Sequence, residues 1–175
     1  MSRYQVRHAT LKDAKAVAEA HVAAWQTAFQ GVLPDAQLAA MSADKRLAFW
    51  RDAIDMGEPQ VLVATDTTET GRVVGFVAFD RSRDKGTPPT TGELWAIGAL
   101  PSLWSTGAGL ALWDGARDAL IEEGCTKVTV WLPLRNERAL RFHELAGFKR
   151  EMSSAKTVEM GGVKVEEIRL QRKIA

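Results

Sequence analysis

The sequence has 175 residues, 46% hydrophobic and 26% charged, enough for one compact domain over residues 1–175 with a real core and cramped for two. Its 23 Lys+Arg against 22 Asp+Glu give no electrostatic reason to expect nucleic acid or an anionic membrane as partner. No apolar run approaches a bilayer crossing and the start MSRYQVRHATLKDAK lacks a secretory pattern; the lone Cys125 excludes an internal disulfide, and His8, His21 and His143 show no metal-ligand spacing, so a cytoplasmic, metal-free protein is expected.

Tyr4 to His8 alternates polar and apolar residues and reads as a first strand, after which Thr10 can cap a helix from about Leu11 to Phe29. Gly31 and Pro34 end it. Two further helices are expected, roughly Asp35 to Met41 and Asp44 to Met56, with Leu47, Trp50 and Ile54 as the inner face of the second. QVLVAT (60–65) and VVGFVAF (73–79) are β-branched runs joined by a turn composition, and so form a hairpin. RSRDKGTPPTTG (81–92) reads as an exposed loop.

ELWAIGAL (93–100) is the next strand, stopped by Pro101. A helix follows from about Gly107 to Glu123, then a strand, KVTVWL (127–132), and a helix from Asn136 to Phe148. Two closing strands, near 150–158 and 163–172, share the turn MGGV. The order implies a mixed α/β architecture with an early hairpin block and late crossover helices. Trp50, Trp113 and Trp131 sit at patterned positions expected of a core, and Cys125 is expected to act as a small buried hydrophobe.

In WSTGAGLALW (104–113) two glycines, Gly107 and Gly109, open a helix. Glycine costs close to ~1 kcal/mol against alanine inside a helix. At a first turn, however, the backbone N–H groups lack helical partners and their dipole favours an anion. The pair therefore fits a phosphate cradle; it also fits a tight strand-to-helix turn with no ligand. No P-loop lysine follows, and no third glycine completes a dinucleotide fingerprint.

ELWAIGALPSLWSTGAGLAL followed by NERALRFHELAGF resembles the two signature segments of the GNAT superfamily, the acyl-CoA-dependent N-acetyltransferases. HVAAWQTAFQGVLPD resembles the first helix of one branch of it. The resemblance implies a central, mostly antiparallel sheet splayed between the fourth and fifth strands and flanked by helices. It implies acetyl-CoA as co-substrate, with the pyrophosphate on the backbone of Trp104, Ser105, Thr106, Gly107, Ala108, Gly109 and Leu110. Pantetheine would lie in the splay against Ile97, Gly98 and Ala99 and face Asn136. The implied partners are a small-molecule amine and a second copy through the last strands, with no nucleic acid or membrane. Three positions depart from the pattern: Trp104 replaces a usual Gln or Arg, Phe29 a Tyr, and His143 the Tyr that protonates the leaving thiolate.

Acyl transfer to an amine needs a base, because an alkylammonium has a pKa near ~10. Glu93 stands where histone-acetylating relatives carry a strand glutamate, and partial desolvation near the splay would raise its pKa; the alternative is an ion-paired or solvated strand-edge residue. His143 could serve as general acid through its ordinary pKa of about 6.5, or simply fill the space of the tyrosine. By resemblance, Trp25 and Phe29 line the acceptor site, while Trp95 alternates onto the Glu93 face and suits an apolar or cationic amine. The expected function is acetyl transfer to a primary amine through a ternary complex. The alternatives are a silent acyl-CoA-binding module and a small α/β domain for another phosphate ligand.

Overall fold

The two β-branched runs do form a hairpin, and they are apolar on both faces because helices cover both. The computed structural model describes residues 3–175. Strand β1 is Tyr4–His8; after a 3-10 turn at Leu11–Asp13 come α1 (Ala14–Ala28), α2 (Asp35–Ala40) and α3 (Ala43–Met56). Strands β2 (Gln60–Asp66), β3 (Arg72–Arg81) and β4 (Thr91–Ala99) precede α4 (Ala108–Glu122), β5 (Lys127–Pro133), α5 (Glu137–Leu145), β6 (Lys149–Met160) and β7 (Val163–Lys173).

The seven strands form one sheet in the order β1-β2-β3-β4-β5-β7-β6. Every neighbouring pair is antiparallel except β4 and β5, which run parallel. Such a pair needs a crossover, and α4 supplies it. No helix among the described residues is long and apolar enough to cross a membrane.

The first helix begins later than its apolar periodicity suggests. Asp13 reaches back to the Thr10 backbone N–H at 2.7 Å and also takes the Arg7 guanidinium at 2.7 Å, which holds residues 11–13 in a tight turn.

Two cores flank the sheet. On one face α4 and α5 bury Leu112, Trp113, Leu120 and Leu140 against Val77, Phe79, Val130 and Ile168. On the other, α1 and α3 bury Val17, Ala20 and Trp50 against Val61, Val63 and Phe76. Cys125 is a buried free thiol, as expected, and burial pushes its pKa up. Trp131 departs from expectation. Its neighbours Val128, Val130 and Leu132 point into the α4 side, so strand alternation turns Trp131 to the opposite face, half-buried.

His21 of α1 lies edge-on to Trp50 and Phe76, with ring centroids 5.4 and 5.8 Å away. Burial, with Arg46 nearby, pushes its pKa down to about 4. The unfolded chain therefore takes up a proton near pH 6.5 that the fold refuses until about 4. Stability is full above pH 6.5 and falls as pH drops through that window, by up to about 3 kcal/mol. Urea midpoints at pH 7 and pH 5 should differ accordingly, and His21→Phe should reduce the difference, leaving the part that buried His143 contributes in the same direction. Equal midpoints in the unsubstituted protein would contradict the assignment.

Candidate active site

The sheet opens where two strands that start together part. Four residue pairs join β4 to β5, from Thr91↔Lys127 to Leu94↔Val130, and pairing stops there although both strands continue. The cause is local. Opposite β3, Phe79 pairs with Leu94 and Ala78 with Ala96, so Trp95 is an extra residue that bends β4 away from β5. Beyond the bulge, Leu100 N donates to Val74 O at 2.9 Å, so the neighbouring Ala99 turns its N–H and C=O toward the side β5 has left. By the same alternation Ile97 presents its backbone there too.

Gly98, between them, faces α1. A Cβ on it would meet Ala24 Cβ and the Phe76 ring at 3.2 Å each. Its smallness therefore serves helix packing, whatever else occupies the gap.

At the wide end of the gap lies the N-terminus of α4. Gly107 is its N-cap, with φ 102, a left-handed conformation that disfavours any side chain. Nothing lies within 4 Å of where its Cβ would be, so the space above it is open. Ala111 N donates the first helical bond, to Gly107 O at 3.0 Å, leaving the N–H groups of Ala108, Gly109 and Leu110 ahead of it without helical partners. Gly109 is small for a different reason. A Cβ there would press on the Phe142 ring of α5 at 3.0 and 3.2 Å. We therefore expect Gly107→Ala to cost about 1–3 kcal/mol through backbone strain. Gly109→Ala acts through packing, so Phe142→Leu should relieve it and leave Gly107→Ala unrelieved. Urea unfolding of the single and double variants checks this.

The loop before α4 is pinned on both sides. Thr106 Oγ1 donates to Leu103 O, so Tyr4 Oη must be the donor in its 2.6 Å bond to Thr106 Oγ1. The Trp104 indole N–H donates to Ala99 O at 2.9 Å, and the Arg138 guanidinium stacks 4.1 Å over the Trp104 ring. Arg138 also donates to Ser105 Oγ at 3.2 Å. A cation thus stands at this loop although the loop carries none. Asn136 caps α5 through its side-chain oxygen, which accepts from Ala139 N at 3.2 Å.

Glu93 sits at the narrow end of the gap, on the face opposite α4, and its side chain is 2% exposed. It is paired. Arg83, in the loop between β3 and β4, donates to it through its backbone N at 2.9 Å and its Nη2 at 2.6 Å. The same guanidinium lies 4.1 Å over the Trp95 ring. Carboxylate, guanidinium and indole therefore form one stack, and Glu93 and Trp95 share a face as their spacing suggested.

The next residue, Asp84, accepts from Trp131 Nε1 at 3.1 Å and from Arg169 Nη1 at 3.0 Å. The segment expected to be a solvated loop is therefore tied to both arms of the fork.

His143 lies on the inner face of α5, 2% exposed, between Phe142 and Phe148. Its Nδ1 is 2.8 Å from Ala139 O, an acceptor only, so Nδ1 carries the hydrogen and Nε2 keeps a lone pair, buried and without a partner. Burial pushes its pKa below the ordinary value. An acid role asks for a protonated fraction at neutral pH, and this environment opposes one. Trp25 and Phe29 stack at 4.9 Å but belong to a third cluster, with Leu33, Leu38 and Val165 beneath the β6–β7 hairpin. Among the described residues no group of three or more His, Cys, Asp or Glu could hold a metal ion.

Sequence reasoning missed Arg83 and Arg138. Arg138 had a signal, since it follows the N-cap Asn136 by two places on a helix that faces the loop. Arg83 had none, because its partners arise only from the fold.

Residues 18–148 match the model of the acetyltransferase (GNAT) family. The chain is 30% identical over 167 residues to an uncharacterized N-acetyltransferase, YuaI, of Bacillus subtilis (strain 168), covering 94% of this chain and 90% of that one. Its fold is similar to that of yncA from Salmonella typhimurium, solved with acetyl-CoA, at TM-score 0.73 and 20% identity over 99% and 95% of the two chains. The paia N-acetyltransferase from Thermoplasma acidophilum, solved with coenzyme A, gives TM-score 0.73 at 14% identity, with 99% of both chains covered. This chain belongs to the GNAT family and is an acyl-CoA-dependent N-acetyltransferase.

Proposed function

We propose that the protein transfers the acetyl group of acetyl-CoA to the primary amine of a small molecule, by direct attack with both substrates bound together. The observation that carries this reading is the fork itself: an unpaired strand edge with open backbone groups leads from Glu93 to a helix N-terminus.

The residues present fit the co-substrate. The space above Gly107 and the N–H groups of Ala108, Gly109 and Leu110 suit a pyrophosphate. Arg138, stacked on Trp104, brings the positive charge that the loop lacks at position 104. Ile97 presents backbone groups that an amide-bearing arm can pair with, beside Ala99, whose C=O already accepts from Trp104, and the Asn136 side-chain amide N–H is a polar group at the start of the facing helix. When bound, acetyl-CoA supplies an activated thioester carbonyl.

The chain's own residues then have two tasks. Glu93 takes the proton that keeps an alkylammonium from acting as a nucleophile. The Ala99 backbone N–H, aimed into the gap, stabilises negative charge developing on the carbonyl oxygen. His143, its Nδ1 hydrogen held by Ala139 O, donates no proton; the ammonium gives its first proton to Glu93, and the second, shed by the nitrogen once it has bonded to the carbonyl carbon, goes to the departing sulfur.

Calorimetric titration with acetyl-CoA, followed by thiol release with a panel of amines, tests the reading. Binding, release and intersecting initial-rate lines are expected. Parallel lines would reject the ternary complex, and absence of acetyl-CoA binding would reject the whole assignment.

A further inference from the structure

Arg83 and Asp84 are consecutive, yet they reach opposite arms of the fork. Asp84 is anchored on the β5–β7 side by Trp131 and by Arg169, itself an ion-pair partner of Glu151. Arg83 crosses to β4. Its side chain is 53% exposed, against 2% for the Glu93 carboxylate it covers. Arg83 is thus a largely exposed cation already seated on a buried carboxylate.

What Arg83 finds there is what an alkylammonium requires. A buried carboxylate is costly without a positive partner. The flat face of Trp95, 4.1 Å beneath the guanidinium, attracts a cation and covers the carbons beside it. Asp84 keeps the loop in place if the Arg83 side chain leaves, and the Arg83 backbone N–H, 2.9 Å from Glu93 Oε1, keeps the carboxylate oriented.

Resting on the proposed reading of Glu93, we infer that Arg83 is a tethered competitor for the acceptor: its guanidinium fills the subsite of an acceptor's ammonium group. The acceptors are accordingly cationic alkylamines, and each must displace this side chain before its nitrogen meets the base. If Arg83 occupies the subsite nine-tenths of the time, apparent acceptor affinity is reduced about tenfold.

The test is a titration of the full chain, without acetyl-CoA, with n-butylammonium chloride at constant ionic strength, read from the Trp95 indole N–H resonance. 1-Butanol serves as the uncharged control. Arg83→Gln should bind n-butylammonium about tenfold more tightly than the unsubstituted protein, with no gain for 1-butanol. Equal or weaker binding overturns the inference, and so does an equal gain for the alcohol. Should Arg83→Gln fail to fold, Arg83→Lys keeps a charge near Glu93 but loses the planar stack. It should still bind the probe severalfold more tightly, and no gain there is equally fatal.

With an acetylated amine in hand, Arg83→Gln should lower the KM for that amine. A guanidinium that merely neutralised Glu93 would leave KM unchanged or raise it. Because the titration involves neither acetyl-CoA nor turnover, its outcome is independent of whether acetyl transfer is found.

Discussion

Glu93→Gln should lower kcat with an amine acceptor by about 10²–10³-fold while leaving the acetyl-CoA Kd unchanged. The substitution keeps the shape of the side chain and an oxygen that can accept from the Arg83 backbone. It removes the charge and the lone pair that would take the ammonium's proton. Arg83 is freed, but more than half of its side chain already meets solvent, so little folding energy is lost. The proposed phosphate end of the site, at Gly107, is built from other elements.

The pH profile gives the sharper check. An acceptor with pKa near ~10 deprotonates itself as pH rises, so the deficit of Glu93→Gln should shrink tenfold per pH unit toward that value. A deficit that stays constant with pH would show that Glu93 positions the acceptor rather than deprotonating it. A rate within about threefold of the unsubstituted enzyme would place the base elsewhere.

The second large effect concerns stability. Trp113→Ala should cost about 3–5 kcal/mol, read from urea unfolding. Trp113 is 1% exposed, meets the Phe148 ring edge-on at 4.9 Å, and carries the Arg172 guanidinium at 5.5 Å. It thereby ties α4 to the turn between α5 and β6 and to β7 at once. Removing it leaves a void that three elements would have to close together. Because α4 presents the N-terminus at Gly107, the same change should weaken acetyl-CoA binding without touching the gap. A loss below about 1 kcal/mol would mean that the remaining inner face of α4 positions the helix by itself.

Much of this was legible in the chain. Strands β2 and β3 announce themselves by β-branched runs, α4 by Leu112, Ala116 and Leu120 at helical spacing, and α5 by its Asn136 cap. The order of elements followed, whereas the place of the splay came from the resemblance to the GNAT superfamily. What stayed hidden depended on single-residue geometry or distant pairing. The Trp95 bulge is one extra residue with no compositional mark. Trp131 was legible in principle, since strand alternation sets it against Val128, Val130 and Leu132, but its place in a patterned strand suggested a core without saying which face. Gly109 resembled Gly107 in sequence, and only the approach of Phe142 separates their reasons. The acid role of His143 rested on an ordinary histidine pKa, which says nothing about burial. Arg83 and Arg138 look like surface arginines until the fold supplies Glu93, Trp95 and Trp104.

The short seam between β4 and β5 bears on how the molecule as a whole holds together. Strands β1 to β4 come wholly from the first part of the chain and β5 to β7 wholly from the last, and the backbone passes from one block to the other only once, through α4. The sheet is in effect two half-sheets basted by four residue pairs, with an unpaired notch beyond them. In the proposed binding mode, a guest in that notch acts as the missing strand, and the hydrogen bonds that retain it also draw the halves together. Turnover must then periodically unstitch what binding has sewn, so a tighter seam would be gained at the expense of product release.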